Sequence, residues 1–299
     1  MVRLRTDTLL IALLSLLRPK QWTKNGLVFA GYLFTVQDGH TKAQLLQVAL
    51  AFVVFCAVSG ASYIINDIAD AERDRKHPRK CKRAIASGAV SAPIALVFAL
   101  LLIAASVTEA FRLGQGFGGL TVAYLLLMLV YSASLKHVVI VDLLAIAAGF
   151  VLRAVAGAVV ISVAISPWLL LCTTLLALFL GLAKRRSELL TLEDGLGHRK
   201  TLGEYTAPML DQMLSISASA TLMSYCLYTF LPSPLTKRPH EAMMMTIPFV
   251  VYGLFRYLFL IQSRNAGGSP EIVLLEDRPM LLNVLLYIAA AIVALKLGF

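Results

Sequence analysis

Stretches of about 20 apolar residues recur along the whole 299-residue chain, and they constrain the fold more than any motif does. A helix of that length crosses the roughly 30 Å hydrocarbon core of a bilayer, and in lipid only a helix satisfies its own backbone within one segment. Nine such stretches are read, at about 19–37, 43–65, 91–110, 117–135, 138–161, 166–184, 207–230, 242–262 and 280–298. Only 15% of the residues are charged and 59% are hydrophobic, which excludes an ordinary soluble domain. The expected fold class is all-α, a polytopic membrane helical bundle of about nine transmembrane helices. No long polar segment separates two halves. Residues 1–299 are therefore read as a single integral-membrane domain with polar loops at 66–90 and 184–206. The short apolar run Leu9–Leu17 leads straight into Arg18-Pro19-Lys20-Gln21-Trp22 without a small-residue cleavage site, so an interfacial helix is expected there.

The net charge of +10 is read loop by loop and gives no reason to expect nucleic acid. With the N-terminus placed in the cytoplasm, 20 of the 27 Lys and Arg residues fall on the cytoplasmic side. Lys42, Arg112, Lys237, Arg238 and Lys296 fall on the other, and Arg153 and Arg256 lie inside spans. The asymmetry satisfies the positive-inside rule and puts the polar clusters on one face. Cys56, Cys81, Cys172 and Cys226 show no CxxC spacing and read as free packing thiols.

The stretch with chemical content is Asn66–Gly88, NDIADAERDRKHPRKCKRAIASG. On a helix, Asp67, Asp70 and Asp74 share one face at i, i+3 and i+7. Carboxylates gathered so repel one another unless a cation lies among them, and hard oxygen ligands with vacancies suit Mg²⁺ carried on a phosphate-rich substrate. Asn66, Asp67, Asp70 and Asp74 are the candidate metal ligands, with the three aspartates as catalytic candidates. Arg73, Arg75, Lys76, Arg79, Lys80, Lys82 and Arg83 follow directly and supply cations for phosphate oxygens. The competing account is a solvated charged loop between two spans.

Other polar residues join this candidate site. Lys20 and Lys24 share a helical face beside Trp22; they either snorkel as an interfacial anchor or reach phosphate. Lys136 ends the fourth span. Asp142 and Arg153 are ionisable residues within the fifth, and either line a polar cavity or form a buried ion network. Lys184, Arg185 and Glu188 end the sixth. Lys184 and Glu188 stand at i,i+4, the spacing of a surface ion pair, or the segment forms a second anion-binding wall.

These residues resemble the UbiA-type superfamily of intramembrane prenyltransferases. Its signature, NDxxDxxxD followed by HPxK and R-(P/A)-I-x-SG, is matched by Asn66, Asp67, Asp70, Asp74, His77, Pro78, Lys80, Arg83, Ile85, Ser87 and Gly88. The resemblance implies a helical bundle whose site lies in a cavity open to the cytoplasmic side and to lipid. Aromatic prenyltransferases of the superfamily carry a second aspartate-rich motif after the sixth span, where this chain reads Lys184-Arg185-Arg186-Ser187-Glu188-Leu189. That departure, with RPKQWTKN, Tyr131–Lys136 and Asp277-Arg278-Pro279, is similar to the decaprenyl-phosphate phosphoribosyltransferase branch.

The branch implies Mg²⁺-dependent transfer of 5-phosphoribose from phosphoribosyl pyrophosphate to a polyprenyl phosphate, a step toward lipid-linked arabinose donors for cell-wall polysaccharide. It implies a bacterial cytoplasmic (inner) membrane location. Lys20, Lys24, Lys80, Arg83, Lys136, Arg153, Lys184, Arg185 and Glu188 are then the candidate substrate-binding residues. A site holding three phosphate groups needs more cations and fewer carboxylates than one holding a single diphosphate. The alternatives are a prenyltransferase acting on an aromatic or porphyrin acceptor, and a lipid-phosphate transporter. Membrane lipids are the surroundings, and the oligomeric state stays open, a homo-oligomer included.

Overall fold

The computed structural model describes residues 6–36, 39–76, 80–192, 203–231, 241–264, 273 and 276–297. Among these there is no β-strand. The apolar α1 (Thr6–Leu16) packs Leu13 and Leu16, with Leu17 just beyond its end, onto the third helix. A 3₁₀ helix (Pro19–Phe29) and a short α2 (Ala30–Phe34) follow. Then come α3 (Lys42–Ala69), α4 (Ala71–Arg75), α5 (Ala92–Leu113), α6 (Gln115–Ala133) and α7 (Val141–Val160). The remainder is α8 (Pro167–Leu192), α9 (Ala207–Phe230), α10 (Ile247–Arg264) and α11 (Arg278–Leu297).

Local chemistry fixes several of the ends. Thr41 and Gln44 form a reciprocal capping box at the start of α3. The Thr206 hydroxyl caps α9 by accepting from the Met209 N–H. Consecutive long helices pack as neighbours from α5 to α9, and α3 lies against α5 and α6. The ring closes because α11 meets α2. The apolar side chains left outside form a lipid-facing belt, with Val97, Leu101, Phe255 and Phe259 all more than half exposed.

Seven of the described helices are long and apolar enough to cross a membrane, and they match seven of the nine expected spans. The other two expected spans are 19–37 and 207–230. The second is the continuous 24-residue α9, diluted by Ser215, Ser217, Ser219, Thr221 and Ser224. The hydroxyls of Ser215, Ser217 and Thr221 bond backbone carbonyls of their own helix.

The first expected span is not a single α-helix, which corrects the reading of 19–37. Its polar half, Pro19–Phe29, winds as an unusually long 3₁₀ helix. The segment packs closely against α7. Gly157 of α7 comes so close to Val28 that a Cβ would lie 1.8 Å from the Val28 carbonyl oxygen, and a Cβ on Gly31 would lie 2.8 Å from the Ala158 Cα. At 2.0 Å rise per residue the 3₁₀ segment and α2 together still extend about 30 Å.

Candidate functional site

The acidic motif sits where α3 gives way to α4. Asp70 is the joint, with φ −93° and ψ 3°, so one continuous helix through Asp74 is not what forms. The register survives the joint: the Asp70 N–H donates to Asn66 O and the Asp74 N–H to Asp70 O, both at 2.9 Å. Asp67 and Asp74 are buried, and Asp70 is partly open. Beside Asp70 lies a depression of about 340 Å³ lined by Ala69, Asp70, Glu72, Arg73 and Lys76.

Every one of these carboxylates holds a cation. Arg18 Nη2 donates to both oxygens of Asp67, at 2.6 and 2.7 Å. Arg83 Nη1 bridges Asp67 at 2.9 Å and Asp74 at 2.6 Å. Lys136 Nζ, itself buried, reaches both oxygens of Asp70 at 3.2 and 3.3 Å and the Asn66 Oδ1 at 3.4 Å. Just after Arg83 the motif closes in a turn, the Ser87 N–H donating to the Arg83 carbonyl at 2.8 Å and Gly88 taking φ +78°, a conformation open to glycine.

A second polar group lies around the end of α8. Arg185, 2% exposed, donates through Nε and Nη2 to the fully buried Asp142 Oδ2, at 2.9 and 2.7 Å, and through Nη1 to Glu188 at 2.5 Å. Glu188 thus pairs at i,i+3. Among the described residues the Asp142 Oδ1 has no hydrogen-bond donor. Lys184 is half-buried on the same helix. One connection, residues 134–140 between α6 and α7, carries Lys136 to the first group and leads into Asp142 of the second.

Arg153 belongs to neither group. Its Nε donates to Asn25 Oδ1 at 2.8 Å, Nη1 to the Gly149 carbonyl at 2.9 Å and Nη2 to the Tyr124 hydroxyl at 2.6 Å, with the guanidinium lying over the Tyr124 ring. Asp142 and Arg153 of α7 therefore serve different partners. Lys20 is exposed on the first 3₁₀ helix, and Lys24 donates to Gln21 Oε1. Lys80 is exposed at the start of the short 3₁₀ helix Lys80–Lys82. Arg256 forms a two-point pair with Asp277, which also caps α11 through the Met280 N–H. The four cysteines are free thiols. His77, Pro78 and Arg79 of the motif and residues 193–202 of the second loop lie outside the described residues.

Arg18, Asn25 and Tyr205 are the site neighbours that the sequence reading passed over. Arg18 had a visible signal, a lone arginine between an apolar helix and Pro19. Tyr205 accepts a hydrogen bond from the Ile140 N–H at 2.9 Å, a pairing across 65 residues that no local pattern announces.

The donor set suits a small divalent cation: an amide oxygen and three carboxylates, with one Arg83 nitrogen already shared between Asp67 and Asp74 oxygens. Among the described residues no three His, Cys, Asp or Glu side chains converge tightly enough to hold a metal by themselves.

The model of the UbiA prenyltransferase family matches residues 26–275. A protein of Corynebacterium glutamicum named decaprenyl-phosphate phosphoribosyltransferase is 35% identical over 283 residues, 93% of this chain and 85% of that one. A protein of the same name from Mycobacterium tuberculosis is 34% identical over 286 residues, 94% of this chain and 93% of that one. Among solved structures, a UbiA homologue of Archaeoglobus fulgidus bound to GPP and Mg²⁺ superposes with a TM-score of 0.71 at 18% identity, covering 95% of this chain and 99% of that one. The apolar helices, the acidic motif with its cations and the family match together make this chain an integral-membrane member of the UbiA prenyltransferase family.

Proposed function

We propose that this protein transfers 5-phosphoribose from phosphoribosyl pyrophosphate to a polyprenyl phosphate and releases diphosphate. The observation that carries the reading is the 34–35% identity, over more than nine-tenths of the chain, to proteins named for that reaction. The charge distribution supports it, because the α8 segment is basic and each motif carboxylate is matched by a cation.

Asn66, Asp67, Asp70 and Asp74 are the residues that would hold Mg²⁺ against the donor diphosphate. When bound, the ion neutralises charge that builds on the departing diphosphate. Arg18, Arg83 and Lys136, now on the carboxylates, are placed to pass to phosphate oxygens as the donor enters. Lys20, Lys24, Lys80, Lys184, Arg185 and Glu188 complete the polar walls. Arg153 acts at a distance, by fixing Asn25 and with it the first helix. The bond from ribose C1 to the diphosphate oxygen breaks, C1 gains oxocarbenium character, and an acceptor phosphate oxygen bonds to it. A phosphate monoester has its second pKa near 6 and is already ionised at neutral pH, so the transfer demands no general base.

The positive-inside asymmetry supports nine crossings of a bacterial cytoplasmic membrane by one domain, with the site on the cytoplasmic side. The product would feed lipid-linked arabinose donors for cell-wall polysaccharide. The test is to incubate detergent-purified protein with Mg²⁺, labelled phosphoribosyl pyrophosphate and a polyprenyl phosphate. Label extracted into organic solvent, and abolished by EDTA, is the expected result. No lipid-borne label, alongside turnover of a prenyl diphosphate with an aromatic acceptor, would replace this reading by the prenyltransferase one.

A further inference from the structure

The connection between α6 and α7 serves both polar groups, and its backbone is strained at one residue. Ile140 has φ 67° and ψ −44°, and the Val141 N–H donates to the Val139 carbonyl at 2.8 Å. That is a γ-turn of the positive-φ kind, rare for any residue and worst for a β-branched one. The Ile140 side chain is 45% exposed, so its own packing does not impose the turn. Strain of this kind persists only where the surroundings over-determine it.

The contact that does so comes from the other polar loop. The Ile140 N–H donates to the Tyr205 hydroxyl at 2.9 Å, and the Tyr205 ring is 3% exposed within a core that includes Leu143, Leu182 and Ala183. Burial raises the phenol pKa, so the group stays neutral at physiological pH. The turn is also the foundation of α7, since the Leu143 and Leu144 N–H groups both donate to the Ile140 carbonyl at 3.0 Å. Four residues upstream, Lys136 spans the distance to Asp70 and Asn66 with contacts of 3.2–3.4 Å, near the limit of a hydrogen bond. The turn sets the backbone position from which the Lys136 stem reaches them.

We propose that Tyr205 is a positioning residue: its phenol holds the Val139–Val141 turn closed and so sets the reach of Lys136 into the acidic motif. The inference rests on the reading above in taking Lys136 to meet the donor diphosphate. It also gives the 184–206 loop a role beyond supplying charge, because that loop locks the connection from which Lys136 projects.

The experiment is a rescue cycle on the full-length purified protein. Tyr205→Phe removes the hydroxyl and should raise KM for the diphosphate donor about tenfold, equivalent to about 1.4 kcal/mol, with KM for the acceptor unchanged. Ile140→Gly admits the turn without strain, so the I140G/Y205F pair should return the donor KM to the I140G value. An equal rise in both KM values overturns the proposal, as does a donor effect that persists in the I140G background. If Tyr205→Phe does not fold, the I140G/Y205F pair carries the test. Failure of that pair to fold makes the phenol structural and also overturns the proposal. The cycle is run on whichever diphosphate donor the protein turns over, so loss of the phosphoribosyl reading and loss of the Tyr205 role give different results.

Discussion

Gly157→Ala tests whether the first helix is held at a fixed distance from α7. The added Cβ would lie 1.8, 2.6 and 2.9 Å from the O, C and Cα atoms of Val28, all backbone, so no side chain can rotate away. Contacts of this kind essentially never fall below 3.0 Å, and the helix must retreat by at least about 1.2 Å. Asn25 lies one 3₁₀ turn before Val28, so the 2.8 Å bond from Arg153 would stretch past its limit. A buried guanidinium short of one partner costs about 1–3 kcal/mol, and overpacking adds about 1–3 kcal/mol. The expected loss is about 2–6 kcal/mol, a fall of several degrees or more in Tm. Arg18, Lys20 and Lys24 ride on the displaced segment, and an ångström of misplacement at a site costs about 100-fold in rate. Thermal unfolding in detergent and the lipid-label assay measure the two effects. A Gly157→Ala protein that melts with the wild type and turns over within about twofold of it would refute the reasoning.

Two further substitutions separate backbone from charge. Arg18 has φ 51° and ψ 64° directly before Pro19, a conformation that favours glycine. Arg18→Gly relieves that backbone but leaves the buried Asp67 with Arg83 alone, so Tm should fall less than for Arg18→Ala while turnover falls about tenfold or more in both; steady-state rates beside melting curves check this. Asp142→Asn leaves Arg185 buried with Glu188 alone and should cost about 3 kcal/mol, whereas D142L/R185M should recover part of the loss, both read from thermal unfolding.

Much of the site is legible in the sequence because its residues are close in the chain. Asp67, Asp70, Asp74 and Arg83 fall within one loop, and the helical spacing of the acids survives even though α3 stops at Ala69. Lys136 and Arg185 announce themselves as charges at span ends. What they touch does not, since Lys136 finds Asn66 across 70 residues and Arg153 finds Asn25 across 128. Arg153 shows the limit well. An intramembrane cation invites a phosphate or a carboxylate, yet an amide, a carbonyl and a phenol satisfy it. The conformations of Arg18 and Ile140 were illegible for the opposite reason: both run against local propensity, and only tertiary contacts hold them there.

The lengths of two helices bear on where the proposed reaction would take place. With 28 residues α3 is about 42 Å long, and α8 with 26 is about 39 Å, against a hydrocarbon core of about 30 Å. Tilt could absorb such a surplus, but both helices carry charged site residues near the C-terminal end, Asp67 beside Asn66 in α3 and Lys184–Glu188 in α8. On the proposed reading about two turns of each helix stand clear of the acyl chains, at headgroup height. A donor dissolved in water and an acceptor phosphate anchored in the bilayer would then meet there without either one changing solvent.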